Sequence, residues 1–310
     1  MTRPFRFGVQ VSTAPSGAAW REKARIVEDL GYSTLYMPDH FGEQWGPIVG
    51  LTIAAEATER LKVGALVFDN DYRHPVVIAR EMATLDLATE GRVEFGLGAG
   101  WMKTDYDESG IPYDEPRVRV DRFEEGLKIV RDLWRDGRAD LDGQHYKITA
   151  AQGHPRPHTP GGPPLVIGGG GKRVLSIAAQ HADIIGINPN LKAGYVGPEV
   201  AESSKGDRYL QRLEWVREAA GDRFDELELQ VLMFFVQFTD NSAKAYEDLA
   251  PMFGMTPDEA RRIPLALAGT ADEMCEVLRQ RRDEYGLSYV VVQEPFMQDF
   301  AAVVSRLAGT

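Results

Sequence analysis

Two kinds of apolar pattern alternate along the whole chain, and that alternation limits the fold more than any other feature. Short runs rich in β-branched and aromatic residues read as strands at 5–11, 34–37, 61–68, 93–97, 164–167, 184–187, 227–235 and 289–293. Longer stretches with apolar residues three and four apart separate them. In 21–30 the apolar set is Ala24, Ile26, Val27 and Leu30, and Gly31 then stops the helix. In 118–134, Val120, Phe123, Leu127, Val130 and Trp134 share one face. Pro75 opens a helix over 75–89, and Thr270 caps one over 271–286. Several strands, such as Leu165-Val166-Ile167 and Val290-Val291-Val292, are apolar on both faces, as parallel strands under helices must be. Eight strands with helices between them predict an α/β fold, a (β/α)8 TIM barrel, as one domain over 1–310.

Two stretches depart from the pattern. An Asp142-Gly143 turn signal between alternating residues predicts a small hairpin over 140–148. Residues 188–225 are too long for a plain strand-to-helix loop, so a rim insertion is expected there.

Composition narrows the partners. Lys and Arg number 35 against 47 Asp and Glu, a net charge of −12, which disfavours a phosphate-backbone partner. The single cysteine, Cys275, excludes an internal disulfide and a cysteine-built metal centre. No run of about 18 apolar residues reads as a membrane span, and the first residues carry no apolar leader core, so a cytoplasmic location is expected.

In a barrel the chemistry lies at the C-terminal ends of the strands. There the sequence places Pro38-Asp39-His40-Phe41, then 69–74 (Asp-Asn-Asp-Tyr-Arg-His), Gly98-Ala99-Gly100-Trp101, and Gly168-Gly169-Gly170-Gly171-Lys172-Arg173. The glycine run follows a strand and opens a helix, so its amides and the helix dipole suit a phosphate; it equally suits a tight turn. His40 is the acid–base candidate, because histidine alone titrates unperturbed near neutrality; a hydrogen-bonded bystander is the alternative. Asp69, Asn70 and Asp71 lack metal-ligand spacing and read as a loop, so no metal is expected. Phe41 and Trp101 either wall a flat ligand or cap the core.

Taken in order, these segments resemble the bacterial luciferase-like flavin and deazaflavin oxidoreductases, most of all the actinobacterial branch that uses coenzyme F420. The resemblance rests on Phe7-Gly8-Val9-Gln10, residues 31–40 (Gly-Tyr-Ser-Thr-Leu-Tyr-Met-Pro-Asp-His), residues 73–79 (Arg-His-Pro-Val-Val-Ile-Ala) and residues 90–101 (Glu-Gly-Arg-Val-Glu-Phe-Gly-Leu-Gly-Ala-Gly-Trp). Residues 110–113, 119–133 and 164–171 continue it. It implies a TIM barrel and a cofactor across the barrel mouth, coenzyme F420 or alternatively FMN. A bulge with a non-prolyl cis peptide is implied within Ala65, Leu66, Val67 and Phe68, behind the cofactor ring. Asn70 would meet the ring edge, Ala99 and Gly100 the chain, and the 168–171 loop with Lys172 the phosphate, while Asp39 would bind a ring substituent or the substrate. His40 would stand beside the reacting carbon, and Phe41, Trp45 and Trp101 would line the substrate pocket. A small organic substrate and a homodimer are implied as well.

One departure matters. Sugar-phosphate dehydrogenases of the branch carry a glutamate where this chain has Trp101, and the nearest carboxylates are Asp105, Asp107 and Glu108. The resemblance therefore implies a more apolar substrate, such as an enone, imine or aromatic. The anionic tail of coenzyme F420 would need a basic track, drawn from Lys172, Arg173, Arg73, Lys192 and Lys205. An FMN-dependent monooxygenase and a non-catalytic binding protein are the competing readings.

Overall fold

A computed structural model describes residues 3–195 and 197–310. Eight parallel strands follow in chain order: β1 (Arg6–Gln10), β2 (Thr34–Met37), β3 (Lys62–Ala65), β4 (Val93–Gly98), β5 (Leu165–Gly169), β6 (Ile184–Ile187), β7 (Glu228–Met233) and β8 (Leu287–Gln293). Each pairs with its sequence neighbour, and β1 pairs with β8 from Arg6 opposite Tyr289 to Gln10 opposite Gln293. The chain therefore has the (β/α)8 TIM-barrel topology. β2, β4, β6 and the first six residues of β8 are buried throughout, which is why these segments lack polar alternation.

Two compact units divide the chain. The first comprises 1–11, 26–34 and 168–310. Its helices Lys172–His181, Gly206–Ala220, Ala271–Tyr285 and Met297–Leu307 follow the strands, and Ala271–Tyr285 begins with a Thr270/Glu273 capping box. The longest element of the stretch 188–225 is Gly206–Ala220, which packs along Lys172–His181 before the chain enters β7. The stretch thus contains a crossover helix, with Pro198–Ser203 as a short helix before it.

The expected strand 227–235 does not run through. The Phe234 and Phe235 amides both donate to the Leu265 carbonyl, at 2.9 and 3.2 Å. That switch of partner starts a separate parallel pair, Phe235–Phe238 with Ala266–Gly269. A long-range backbone partner made the break, so no local residue announced it. Arg281 is buried beside this pair and donates to the carbonyls of Pro264, Ile263 and Ala266.

The second unit comprises 12–25 and 35–167. Helices Pro75–Ala88 and Pro116–Arg135 pack together over β4, and Trp134 donates its indole N–H to the Ala79 carbonyl at 2.9 Å. The hairpin forms between Arg138–Asp142 and Lys147–Gln152, antiparallel, with a register shift after Ala139. The expected strand 61–68 is split. β3 ends at Ala65, the Leu66–Val67 peptide is cis and non-prolyl, and Phe68–Asp69 then pairs with Leu97 and Gly98 of β4. The alternate glycines of β4 accommodate this bulge. A Cβ on Gly96 would stand 2.0 Å from the Ala65 carbonyl oxygen, and one on Gly98 would stand 2.7 Å from the Val67 side chain. Among the described residues, no helix is long and apolar enough to cross a membrane.

Candidate active site

Within the second unit, the ends of β2 and β3 and the segment after β4 bring a polar cluster together. His40 follows β2, and its ring Nδ1 lies 2.6 Å from the Asp105 carboxylate. Asp105 sits in the first turn of the short helix Lys103–Ser109 and its side chain is 5 % exposed, whereas that of His40 is 28 % exposed. The second Asp105 oxygen accepts from the Phe41 amide at 3.3 Å, and Tyr72 donates its hydroxyl to the first at 3.2 Å. The Trp101 ring meets His40 edge-on, 5.9 Å between centroids at 88°. Phe41 lies 4.6 Å from Tyr72, with about half its surface exposed.

Below this pair is a layer of buried charge. Asp39 takes a bidentate contact from Arg73, at 2.5 and 2.9 Å, and accepts from the Asp69 amide at 3.0 Å. Its carboxylate is thereby committed to the protein, and so is the Arg73 guanidinium. Tyr106 donates to Asp69 and stands 3.0 Å from Asp71 as well. Arg122 pairs with Asp71 at 2.9 Å and also contacts Asp114. Burial pushes the Asp69 carboxyl up to about 7, and the neighbouring Asp71 and Asp39 charges add to the rise. Burial likewise raises Asp71 despite Arg122. Gly100, at φ +73°, makes the packing possible, because a Cβ there would overlap the Tyr106 hydroxyl and the Asp69 carboxylate. Its carbonyl accepts from Arg119 at 2.7 Å.

The remaining expected residues of this unit divide by role. Ala65 and Phe68 are buried, and Leu66 and Val67 are partly exposed across the cis bond. Asn70 is buried and donates its side-chain amide to the Tyr146 hydroxyl at 3.1 Å, so that amide is spent on the hairpin. Trp45 stacks on the buried Trp20 at 5.2 Å. His74 caps the helix Pro75–Ala88, accepting from Val76. Asp105 and Tyr72 are the residues that sequence reasoning did not select as site residues. An acidic residue seven positions after the last glycine of β4 carries no local signal; only the fold brings it to His40.

In the first unit, β5 ends at Gly169 and the helix Lys172–His181 begins with Gly171 as N-cap, without any side-chain cap. The glycines are not equivalent. A Cβ on Gly170 would meet the Pro189 carbonyl at 2.1 Å, and one on Gly169 would meet Val174 at 2.7 Å, whereas one on Gly171 meets nothing within 4 Å. Close packing therefore demands Gly169 and Gly170 whether or not an anion binds. Arg212 is buried and braces the loop, donating to the Gly170 carbonyl at 3.0 Å and to Ser203. Of the expected cations in this unit, Lys172 stands 3.5 Å from Glu218, and Lys205 pairs with Glu202 at 2.7 Å. Lys192 is exposed.

Fold and site together define a (β/α)8-barrel protein with a histidine–carboxylate pair at its strand ends and an open helix N-terminus after β5. The chain belongs to the luciferase-like monooxygenase family, whose model matches residues 1–301. The F420-dependent glucose-6-phosphate dehydrogenase of Amycolatopsis mediterranei (strain U-32) is 30 % identical over 170 residues, which cover 52 % of this chain. That match spans about half of the relative's length, 50 %. The enzyme of the same name from Nakamurella multipartita is 27 % identical over 285 residues, covering 87 % of this chain and 80 % of the relative. Among solved structures, the coenzyme F420-dependent tetrahydromethanopterin reductase of Methanopyrus kandleri superposes with a TM-score of 0.77. It covers 99 % of both chains at 19 % identity, a likeness of fold.

Proposed function

We propose that this chain transfers hydride between coenzyme F420 and a small, largely apolar organic substrate, with His40 moving the accompanying proton. The chain is an F420-dependent oxidoreductase, and coenzyme F420 is its cofactor. The observation that carries the reading is a part-exposed histidine at the end of β2 whose ring nitrogen is held 2.6 Å from the buried Asp105 carboxylate. The curated relatives named for F420 dependence support the choice of cofactor.

Within the first unit the residues fit the phosphate of the group. The helix N-terminus at Gly171 has no side-chain cap and has room beside it, which suits a phosphate at the positive end of the helix dipole. When bound, the deazaflavin supplies a two-electron hydride carrier. The chain's own part is to hold that ring, to shield the site with Trp101 and Phe41, and to donate or accept a proton at His40. The aromatic neighbours of His40, and the commitment of Arg73, Arg119 and Arg122 to protein acceptors, favour an uncharged enone, imine or aromatic substrate over a sugar phosphate.

The family's own description names a monooxygenase, which favours a second reading in which the chain takes FMN and activates O2. Titrating purified protein with each cofactor, then measuring turnover with and without O2, separates the two. Tighter binding of F420 with O2-independent turnover is the expected result. Tighter binding of FMN with O2-dependent turnover overturns it.

A further inference from the structure

We propose that Asp105 is the positioning residue for His40, fixing the ring in the tautomer that carries its proton on Nδ1 and leaving Nε2 as the atom that exchanges a proton with substrate. The inference rests on the acid–base reading of His40 but concerns the state of the ring before anything binds.

The hydrogen-bond inventory of the carboxylate carries the argument. An ionised carboxyl only accepts, and a buried one is stable only when donors surround it. Asp105 has three candidate donors within reach: Nδ1 of His40 at 2.6 Å, the Tyr72 hydroxyl at 3.2 Å and the Phe41 amide at 3.3 Å. Were the proton on Nε2 instead, the Nδ1 lone pair would face a carboxylate oxygen at 2.6 Å with no hydrogen between them. With Asp105 ionised, the contact is tolerable only with a proton on Nδ1, and a neutral ring then has Nε2 as its acceptor.

The alternative employment for Asp105 fails on geometry. An acid in the first turn of a helix ordinarily serves the free amides of that turn. Asp105 reaches away from its own helix, to two consecutive residues after β2 and to a tyrosine after β3. The other charged groups of the neighbourhood are matched elsewhere: Asp39 with Arg73, Asp71 with Arg122, and Lys103 with Asp107 on the same short helix. Trp101 flanks the ring at 88°, so the carboxylate and the indole together restrict its rotation. A carboxylate in this position sets which ring nitrogen is available, the part such a group plays beside a catalytic imidazole.

The test uses the full-length protein without cofactor, labelled with 15N at its six histidines. Long-range nitrogen–proton correlation at pH 8 reads the tautomer of each ring, and the His40 signals are assigned by their loss in His40→Ala. The expected result is the Nδ1–H pattern for His40 in the native chain and a shift towards Nε2–H in Asp105→Ala, with the other five rings unmoved. A native His40 with the Nε2–H pattern overturns the proposal, as does a pattern indifferent to Asp105→Ala. The native spectrum decides even where the variant fails to fold. Because no turnover enters, the result is separate from the acid–base reading: an Nδ1–H ring in a chain whose His40→Ala variant keeps full activity would sink that reading while leaving the positioning intact.

Discussion

Replacing Gly171 by aspartate separates anion binding from packing at the β5 loop. Gly171 is the N-cap of Lys172–His181, in extended backbone at φ −100°, and a Cβ added there would have nothing within 4 Å. Aspartate is among the best N-cap residues, so the fold should be unchanged or steadier by a few tenths of a kcal/mol. The same carboxylate would occupy the approach of a bound phosphate. For unit charges about 5 Å apart at an effective dielectric of about 40, suited to a half-exposed site, the repulsion is about 1.7 kcal/mol, or roughly 15-fold in Kd. Gly171→Asn is the matched control, since asparagine caps equally well without charge. Fluorescence titration with coenzyme F420 reads the affinity, and a thermal melt reads the fold. The expected outcome is a roughly 15-fold weaker Kd in Gly171→Asp, with Gly171→Asn near native and both melts undiminished. Equal affinity in all three proteins would refute the phosphate assignment. Substitution at Gly169 or Gly170 does not give this separation, because a Cβ at either collides with Val174 or with the Pro189 carbonyl.

Three further outcomes follow from the second unit. His40→Ala should lower turnover by about 10²-fold or more while cofactor affinity stays within a few-fold, as for loss of an acid–base group; steady-state kinetics beside a binding titration checks it. Asp69, raised to about 7 by burial, binds its proton more tightly folded than unfolded, so its contribution to stability is present below about pH 4 and is lost as pH rises through about 7. Melting temperatures measured between pH 5 and 8 should therefore fall less steeply with pH in Asp69→Asn than in the native chain, and equal slopes would discard the assignment. Gly96→Ala should cost about 3 kcal/mol or prevent folding, because its Cβ would meet backbone rather than a movable side chain; a denaturant titration indistinguishable from native would contradict it.

Local pattern was enough for the strand-and-helix alternation, because a barrel repeats one supersecondary unit and each unit carries its own periodicity and caps. Val120, Phe123, Leu127 and Val130 announce the helix Pro116–Arg135, and Thr270 announces Ala271–Tyr285, without reference to anything distant. The candidate positions at strand ends were legible for the same reason: His40 and the glycines at 168–171 are marked by where their strands stop. What chain order could not supply was the pairing of side chains far apart in sequence. Asp39 and Asp105 are both acids near a strand end, yet Asp39 is taken by Arg73 and Asp105 by His40, a bond across 65 positions. The break at Phe234 likewise depends on Leu265, and the need for glycine at 96 depends on the Ala65 carbonyl. Periodicity records which face of an element is buried, so the sequence by itself determined the elements and their order; which partner a buried polar group meets is set by the closed sheet, and only the tertiary structure decided that.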